Sequence, residues 1–357
     1  MTNGSILNSK IFRFSLICAF FLIAGAFPKS AFSQENTSES KEKKFEPKDV
    51  ILEHISDSHA WPVAIPFVEE KFIPLPVILY TDKGLDVFSS GKLLPEGTVY
   101  NSGHNSYKLE ANKIKIVDAS GAIDEAASKK VLDFSITRNV ISMFMGVALL
   151  LIIFLSISSA YRKRVGKAPK GLQSWMEPLI VFVRDDIAIP NMGHNYKRFM
   201  PLLLTIFFFI LLNNLLGMIP VFPGGYNLTG NIAVTLTLSV IILFVVNLNG
   251  NKHYWKHIFV PNPWWLFPIM IPVEIVSIFS KPIALMIRLF ANITAGHIVI
   301  LSLISLIFIF KSLAVSPVSV VFVVFMDCIE LLVAFLQAYI FTLLSSLFIG
   351  MAIEEHH

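Results

Sequence analysis

The sequence predicts an all-α polytopic membrane protein with five transmembrane segments. The last two are long and steeply tilted as a hairpin, and a signal peptide and a small exported β-containing segment precede the first. Three observations carry this. Hydrophobic residues are 54% of the 357 and charged residues only 15%, with 31 Phe, a composition suited to lipid rather than water as the main solvent. Apolar runs long enough to span a bilayer recur from Val140 to the end. Finally, Arg288 stands in the longest run, Leu266 to Phe310, roughly 22 residues from either end, or on the order of 33 Å of helix each way.

The elements follow in chain order. Lys10 and Arg13 precede the apolar stretch Phe14 to Phe27, and Ala31-Phe32-Ser33 supplies a small-x-small cleavage pattern, so residues 1–33 read as a leader. A signal anchor is the alternative. Residues 34–134 form a separate exported segment that opens with the charged stretch Glu35 to Lys48, whose composition cannot bury a core. Phe72 to Tyr80 and Lys113 to Val117 have β-like composition, with a turn signal at Asn101-Ser102-Gly103 between them. His54 and His59 flank Asp57; a metal site and a solvated cluster are both open, and the polar setting favours the solvated one. Cys18 lies in the leader and Cys328 in an apolar helix, so no disulfide framework or redox role follows.

Residues 135–357 form the transmembrane region. The first span, about Val140 to Ala160, runs into Arg162, Lys163, Arg164, Lys167 and Lys170, which marks its far end as cytoplasmic. Gly171 to Arg198, broken by Pro178 and Pro190, reads as an amphipathic segment at that face. The second span is about Phe199 to Ile219, and Pro220 to Gly230 turns back on the outer side. The third, about Asn231 to Leu248, leads to a loop with Lys252, His253, Lys256 and His257. Leu266 to Phe310 and Val318 to Ile353 are about 45 and 36 residues long. As continuous helices they far exceed a core of about 30 Å, so they tilt, bend or break.

Arg288 is a fixed cation at this depth, because a guanidinium does not release its proton. At 100° per residue Ser277, Ala284, Ala291, Asn292 and Ala295 fall within about 60° of it. Such small residues admit a second helix. Arg288 therefore reads either as awaiting a carboxylate on another polypeptide or as paired within its own bundle. Glu274 lies about 40° from it, fourteen residues earlier. His297 lies about 180° away, where Glu330 of the returning helix could meet it, and Gln337 shares the stripe of Glu330. A histidine and a carboxylate can relay protons near neutral pH. Arginine cannot, so the arrangement gives two half-paths separated by a barrier.

Ser280-Lys281-Pro282 through Arg288-Leu289-Phe290-Ala291-Asn292-Ile293-Thr294-Ala295-Gly296-His297 resembles the signature of the ATP synthase a subunit, the membrane stator of a rotary motor. The run Asn214 to Pro220, Pro272-Val273-Glu274 and Met351 to His356 resemble other motifs of that family, in order and with matching spacing. The likeness covers roughly Val140 to the end and leaves the exported segment uncovered. It implies that Arg288 is the essential arginine, Asn292 and Gln337 its polar companions, and His297 and Glu330 the outer half-channel pair. The order here, histidine first and glutamate second, is that of mitochondrial members. Glu274 and Ser277 match positions of the cytoplasmic half-channel, and Ala284, Ala291 and Ala295 would face the rotor.

The resemblance implies a non-catalytic, proton-conducting subunit of a bacterial inner membrane. Its partners would be a c-ring, b-type peripheral stalk subunits and membrane lipid, with no cofactor or metal. No Gly-x-x-x-x-Gly-Lys-[Ser/Thr] loop occurs, so direct nucleotide binding is not expected, and a net charge of +4 gives no ground for nucleic acid binding. The rival reading is a self-contained secondary transporter or ion channel, for which interrupted helices and a midplane charge would also serve.

Overall fold

The computed structural model describes residues 57–354 apart from 64–70, 96, 111, 119–120, 220–225, 227, 260–266 and 311–314. The leader, Cys18, His54 and the stretch Glu35 to Lys48 lie outside the described residues. The first part is built of short antiparallel strands. β1 (Ala60–Val63) pairs with β2 (Lys71–Pro74), and β3 (Pro76–Thr81) pairs with β4 (Gly84–Ser89) across a two-residue turn. β5 (Val99–Asn101), β6 (Ser106–Glu110) and β7 (Lys113–Val117) form a meander, and β8 (Leu132–Asp133) adds to the free edge of β3. The side-chain period of two explains the core: Val77 and Leu79 of β3, Phe88 of β4, and Tyr107 and Leu109 of β6 alternate inward and pack together. Helix α1 (Glu125–Ser128) is one turn capped by Asp124, whose carboxylate accepts from the Ala126 and Ala127 amides.

Five helices are long and apolar enough to cross a membrane. α2 (Arg138–Lys163) carries Arg162 and Lys163 in its last turn. α3 (Leu172–Phe182), a six-residue π-helical stretch Val183–Ala188 and α4 (Ile189–Met192) lead into α5 (Tyr196–Met218). α6 (Ile232–Asn249) is capped by Asn231, which accepts from the Ala233 amide, and α7 (Lys252–Phe259) is short and basic. α8 (Phe267–Phe310) and α9 (Val315–Ile353) are continuous helices of 44 and 39 residues, roughly 66 and 58 Å long. Pro272 and Pro282 lie inside α8 without ending it. The overlong runs are thus continuous helices rather than interrupted ones.

The segment expected at a membrane face does more than that. Val183, Ile187, Ala188 and Met192 are buried in the main helical core with Ile349 and Ala352 of α9. A Cβ on Gly350 would collide with the Asn191 carbonyl oxygen, so only glycine lets α4 and α9 approach this closely. The Ser346 hydroxyl donates to the Ile187 carbonyl at 3.1 Å. At the same end of the bundle Asn251 closes α9, its amide donating to the Ala352 carbonyl and its side chain to that of Ile353. At the other end the β-rich part is tied down: the Arg138 amide donates to the Ser58 carbonyl at 3.0 Å, the Asn139 amide to Asp57 at 3.2 Å, and Trp61 packs with Tyr226 and Leu228.

Candidate functional site

The two sides of α8 around Arg288 differ in burial. α8 buries Leu285, Leu289 and Ile293 against the core, at 2%, 0% and 3% exposure, and these recur every four residues as one stripe. Ala284, Arg288, Ala291, Asn292 and Ala295 lie on the exposed side of the same helix, and Ser277 is half-buried. Among these neighbours every side chain is alanine, serine or asparagine, so backbone-level approach by another helix is sterically open.

The opposite side of α8 brings together two of the expected residues. His297 Nε2 stands 3.5 Å from Glu330 Oε1 of α9, with the carboxylate 7% exposed and the imidazole 17%. That oxygen accepts no hydrogen bond among the described residues, and Thr294 Oγ1 nearby in sequence is likewise buried without a partner. Gly296 makes room for the carboxylate, since a Cβ there would lie 3.1 Å from Glu330 Oε1. Gln337, two turns along α9, is buried. Between them Ala334 takes part in a second polar chain, in which Thr229 donates to Asn214 Oδ1 and Asn214 Nδ2 donates to the Ala334 carbonyl at 3.3 Å.

Glu274 and Ser277 are not near that pair. They line a cleft of about 380 Å³ with Lys281, His253, Tyr254 and Glu354, at the end where Asn251 caps α9. None of His253, Tyr254 and Glu354 was among the site residues expected from sequence. The basic character of the 252–257 loop was legible, but its placement against α8 depends on the turn at Asn251. Lys281 lies 5.5 Å over the ring of Phe348, so this cation is screened by an aromatic face rather than by lipid.

In the β-rich part His59 is buried, with Nε2 in hydrogen-bond contact with the Asp133 carboxylate at 2.9 Å, rather than in a solvated cluster. Among the described residues no group of three or more His, Cys, Asp or Glu is disposed to hold a metal ion. Asp86 is buried and receives hydrogen bonds from Ser102, Tyr107 and His104. Burial alone would raise its carboxyl, but the three bonds outweigh burial and hold it below the usual carboxylate range. Burial and the bond to Asp86 push the Tyr107 phenol up to about 12.

Five spans with a polar, charged hairpin define a multi-pass membrane protein. The family model described as ATP synthase A chain matches residues 140–350, and one described as a domain of unknown function (DUF8433) matches residues 50–134. The chain is 49% identical over 232 residues to ATP synthase subunit a of Chloroherpeton thalassium, a stretch covering 63% of this chain and 69% of that protein. It is 50% identical over 228 residues to ATP synthase subunit a 2 of Chlorobium luteolum, covering 62% of this chain and 66% of that one. With the Myxococcus xanthus subunit a it shares 43% over 233 residues, 63% and 75% of the two chains. The chain belongs to the ATP synthase A chain family.

Proposed function

We propose that this chain is the proton-conducting stator subunit of the membrane sector of a rotary F-type ATP synthase in a bacterial inner membrane. It would face a c-ring through the Arg288 side of α8 and be held by b-type stalk subunits. The observation that carries the reading is the division of polar groups along one helix. The His297–Glu330 pair lies nine residues to one side of Arg288 and the Glu274–Ser277 cleft fourteen to the other, roughly 13 and 21 Å along the axis.

The chemistry follows from that division. A proton arriving from the outer side is handed between His297 and Glu330, whose buried, unbonded oxygen is a docking point for it, and passes to a ring carboxylate. The neutralised carboxyl can then cross lipid, where an ionised one is excluded. On its return the same group meets Arg288, whose permanent charge favours the ionised form and drives the proton off toward Glu274, Ser277 and Lys281. Direct passage between the two half-paths is opposed by that same charge. Each proton moving down about 100 mV supplies roughly 2.3 kcal/mol to rotation. By the positive-inside rule the basic ends of α2 and α7 are cytoplasmic, which puts the β-rich part outside. Nucleotide chemistry belongs to other subunits.

A self-contained transporter is expected to break its helices at the midplane, and the continuous α8 and α9 speak against it. The test is Arg288→Ala in membranes carrying the whole complex. ATP-driven proton pumping should be lost while the complex still assembles. Normal coupled pumping by this variant would overturn the proposal.

A further inference from the structure

The β3–β4–β8 sheet has two apolar faces, and among the described residues only one is covered. Val77, Leu79 and Phe88 turn inward to the β core. On the other side Ile78 pairs with Val87, and Tyr80 with both Leu85 and Leu132, while the Phe134 amide donates to the Ile78 carbonyl at 2.9 Å. The strand period of two therefore gathers Ile78, Tyr80, Leu85, Val87, Leu132 and Phe134 on one surface. Tyr80, Leu85, Val87, Leu132 and Phe134 are all more than half exposed. An antiparallel sheet with one side in water normally alternates polar and apolar residues. A contiguous apolar face instead marks a surface that meets lipid or protein.

Three observations select lipid. Phe134 is four residues before α2, so the sheet edge runs directly into a membrane span. The outward side of that span carries exposed Phe144, Leu151, Ile152 and Leu155, a bilayer-facing surface with which the sheet face is continuous through the chain. The segment is also held against the helix ends by the Ser58–Arg138 and Asp57–Asn139 bonds and by Trp61 on Tyr226, so it cannot stand away from the bilayer. Tyrosine, with an apolar ring and a polar hydroxyl, suits a headgroup layer, and phenylalanine and aliphatic residues beside it suit the adjoining acyl boundary.

We infer that this sheet face rests on the lipid headgroup layer of the leaflet where α2 begins, making residues 57–134 an interfacial domain as well as an extramembrane one. The test uses the full chain, with Cys18→Ser and Cys328→Ser as background, reconstituted in phosphatidylcholine–phosphatidylglycerol vesicles. An environment-sensitive fluorophore is placed at Leu85→Cys, Val87→Cys or Phe134→Cys, with exposed Lys113→Cys on β7 as the reference. Headgroup-level nitroxide lipids should quench the three sheet labels several-fold more than the reference, and aqueous iodide should quench them less. Strong iodide quenching without lipid quenching would place the face in water. Shielding from both quenchers would mean that protein covers it; either result overturns the inference. Three positions, two on β4 and one just after β8, keep the outcome independent of any one variant's folding.

Discussion

Exchanging the members of the His297–Glu330 pair tests whether the two groups act as a unit. At 3.5 Å two opposite unit charges attract by on the order of 5 kcal/mol at an effective dielectric of about 20, an upper bound before desolvation is counted. Close charge pairs measured by double-mutant cycles couple by about 1.5 to 7 kcal/mol. The lower figure already corresponds to about tenfold in a rate or equilibrium. Glu330→His should therefore impair proton transport severely, since it leaves two imidazoles and no carboxylate at a buried site. Adding His297→Glu restores one acid and one base, in reversed positions. The rate of ATP-driven vesicle acidification, normalised to assembled complex, is measured for the parent, each single variant and the double. Coupling predicts a double variant at least tenfold faster than the product of the two single defects. A double variant at or below that product would refute the pairing. The pH dependence adds a second criterion: interacting groups titrate as a pair, so each single substitution should shift the profile rather than only lower it.

Four other outcomes follow from the same packing. Gly296→Ala puts a methyl 3.1 Å from the Glu330 carboxylate, so proton transport should fall several-fold with assembly unchanged; unaltered transport would mean the carboxylate has slack there. Cysteines at Ala284, Ala291 or Ala295 should cross-link to a ring helix while one at buried Ile293 should not, and equal yields would argue against the assigned face. Gly350→Ala forces apart α9 and the Asn191 backbone, which should cost on the order of 1–3 kcal/mol by overpacking and lower the thermal midpoint of the detergent-solubilised protein. In the β-rich part the depressed Asp86 carboxyl contributes stability that is present above the unfolded value of about 3.9 and lost as pH falls through the lower folded one. Limited proteolysis of residues 57–134 in the full chain should then stay constant from pH 7 to about 5 and rise only below about 4, and Asp86→Asn should raise it at neutral pH.

The helices and the Arg288 face were legible because both depend on periodicities internal to one segment. A run of about 20 apolar residues announces a span without reference to any other part of the chain. The 100° step then fixes which residues share a side, hence the exposed Ala284, Arg288, Ala291 and Ala295 against buried Leu289 and Ile293. The approach of His297 to Glu330 needed only the further assumption that α8 and α9 form a hairpin. What depended on partners far along the chain was not legible. Residues 183–192 look too broken and polar for a core, yet their buried side chains pack with α9 across a glycine contact some 160 residues away. His59 looked solvated because Asp133, its partner, lies 74 positions on. Strand β4, with Asp86 in its middle, lacks a clean alternation until one sees that the carboxylate is satisfied by Ser102, Tyr107 and His104.

The contrast between the two sides of α8 bears on the proposed ring partner. One side is packed within the molecule: Leu285, Leu289 and Ile293 are covered, and His297 has Glu330 of α9 at 3.5 Å. The other side keeps a guanidinium exposed among alanines, in a span where lipid would otherwise be its neighbour. A charge there is costly in hydrocarbon even after snorkelling and bilayer thinning, and the side chains of Ala284, Ala291 and Ala295 beside it offer no hydrogen-bond acceptor. A carboxylate arriving on an outside helix offsets that cost. A static carboxylate would do so permanently and end transport, whereas a succession of them, each protonated before it leaves, meets the requirement repeatedly. Under the proposed function, that is the physical demand that a rotating ring would satisfy and a fixed intramolecular ion pair would not.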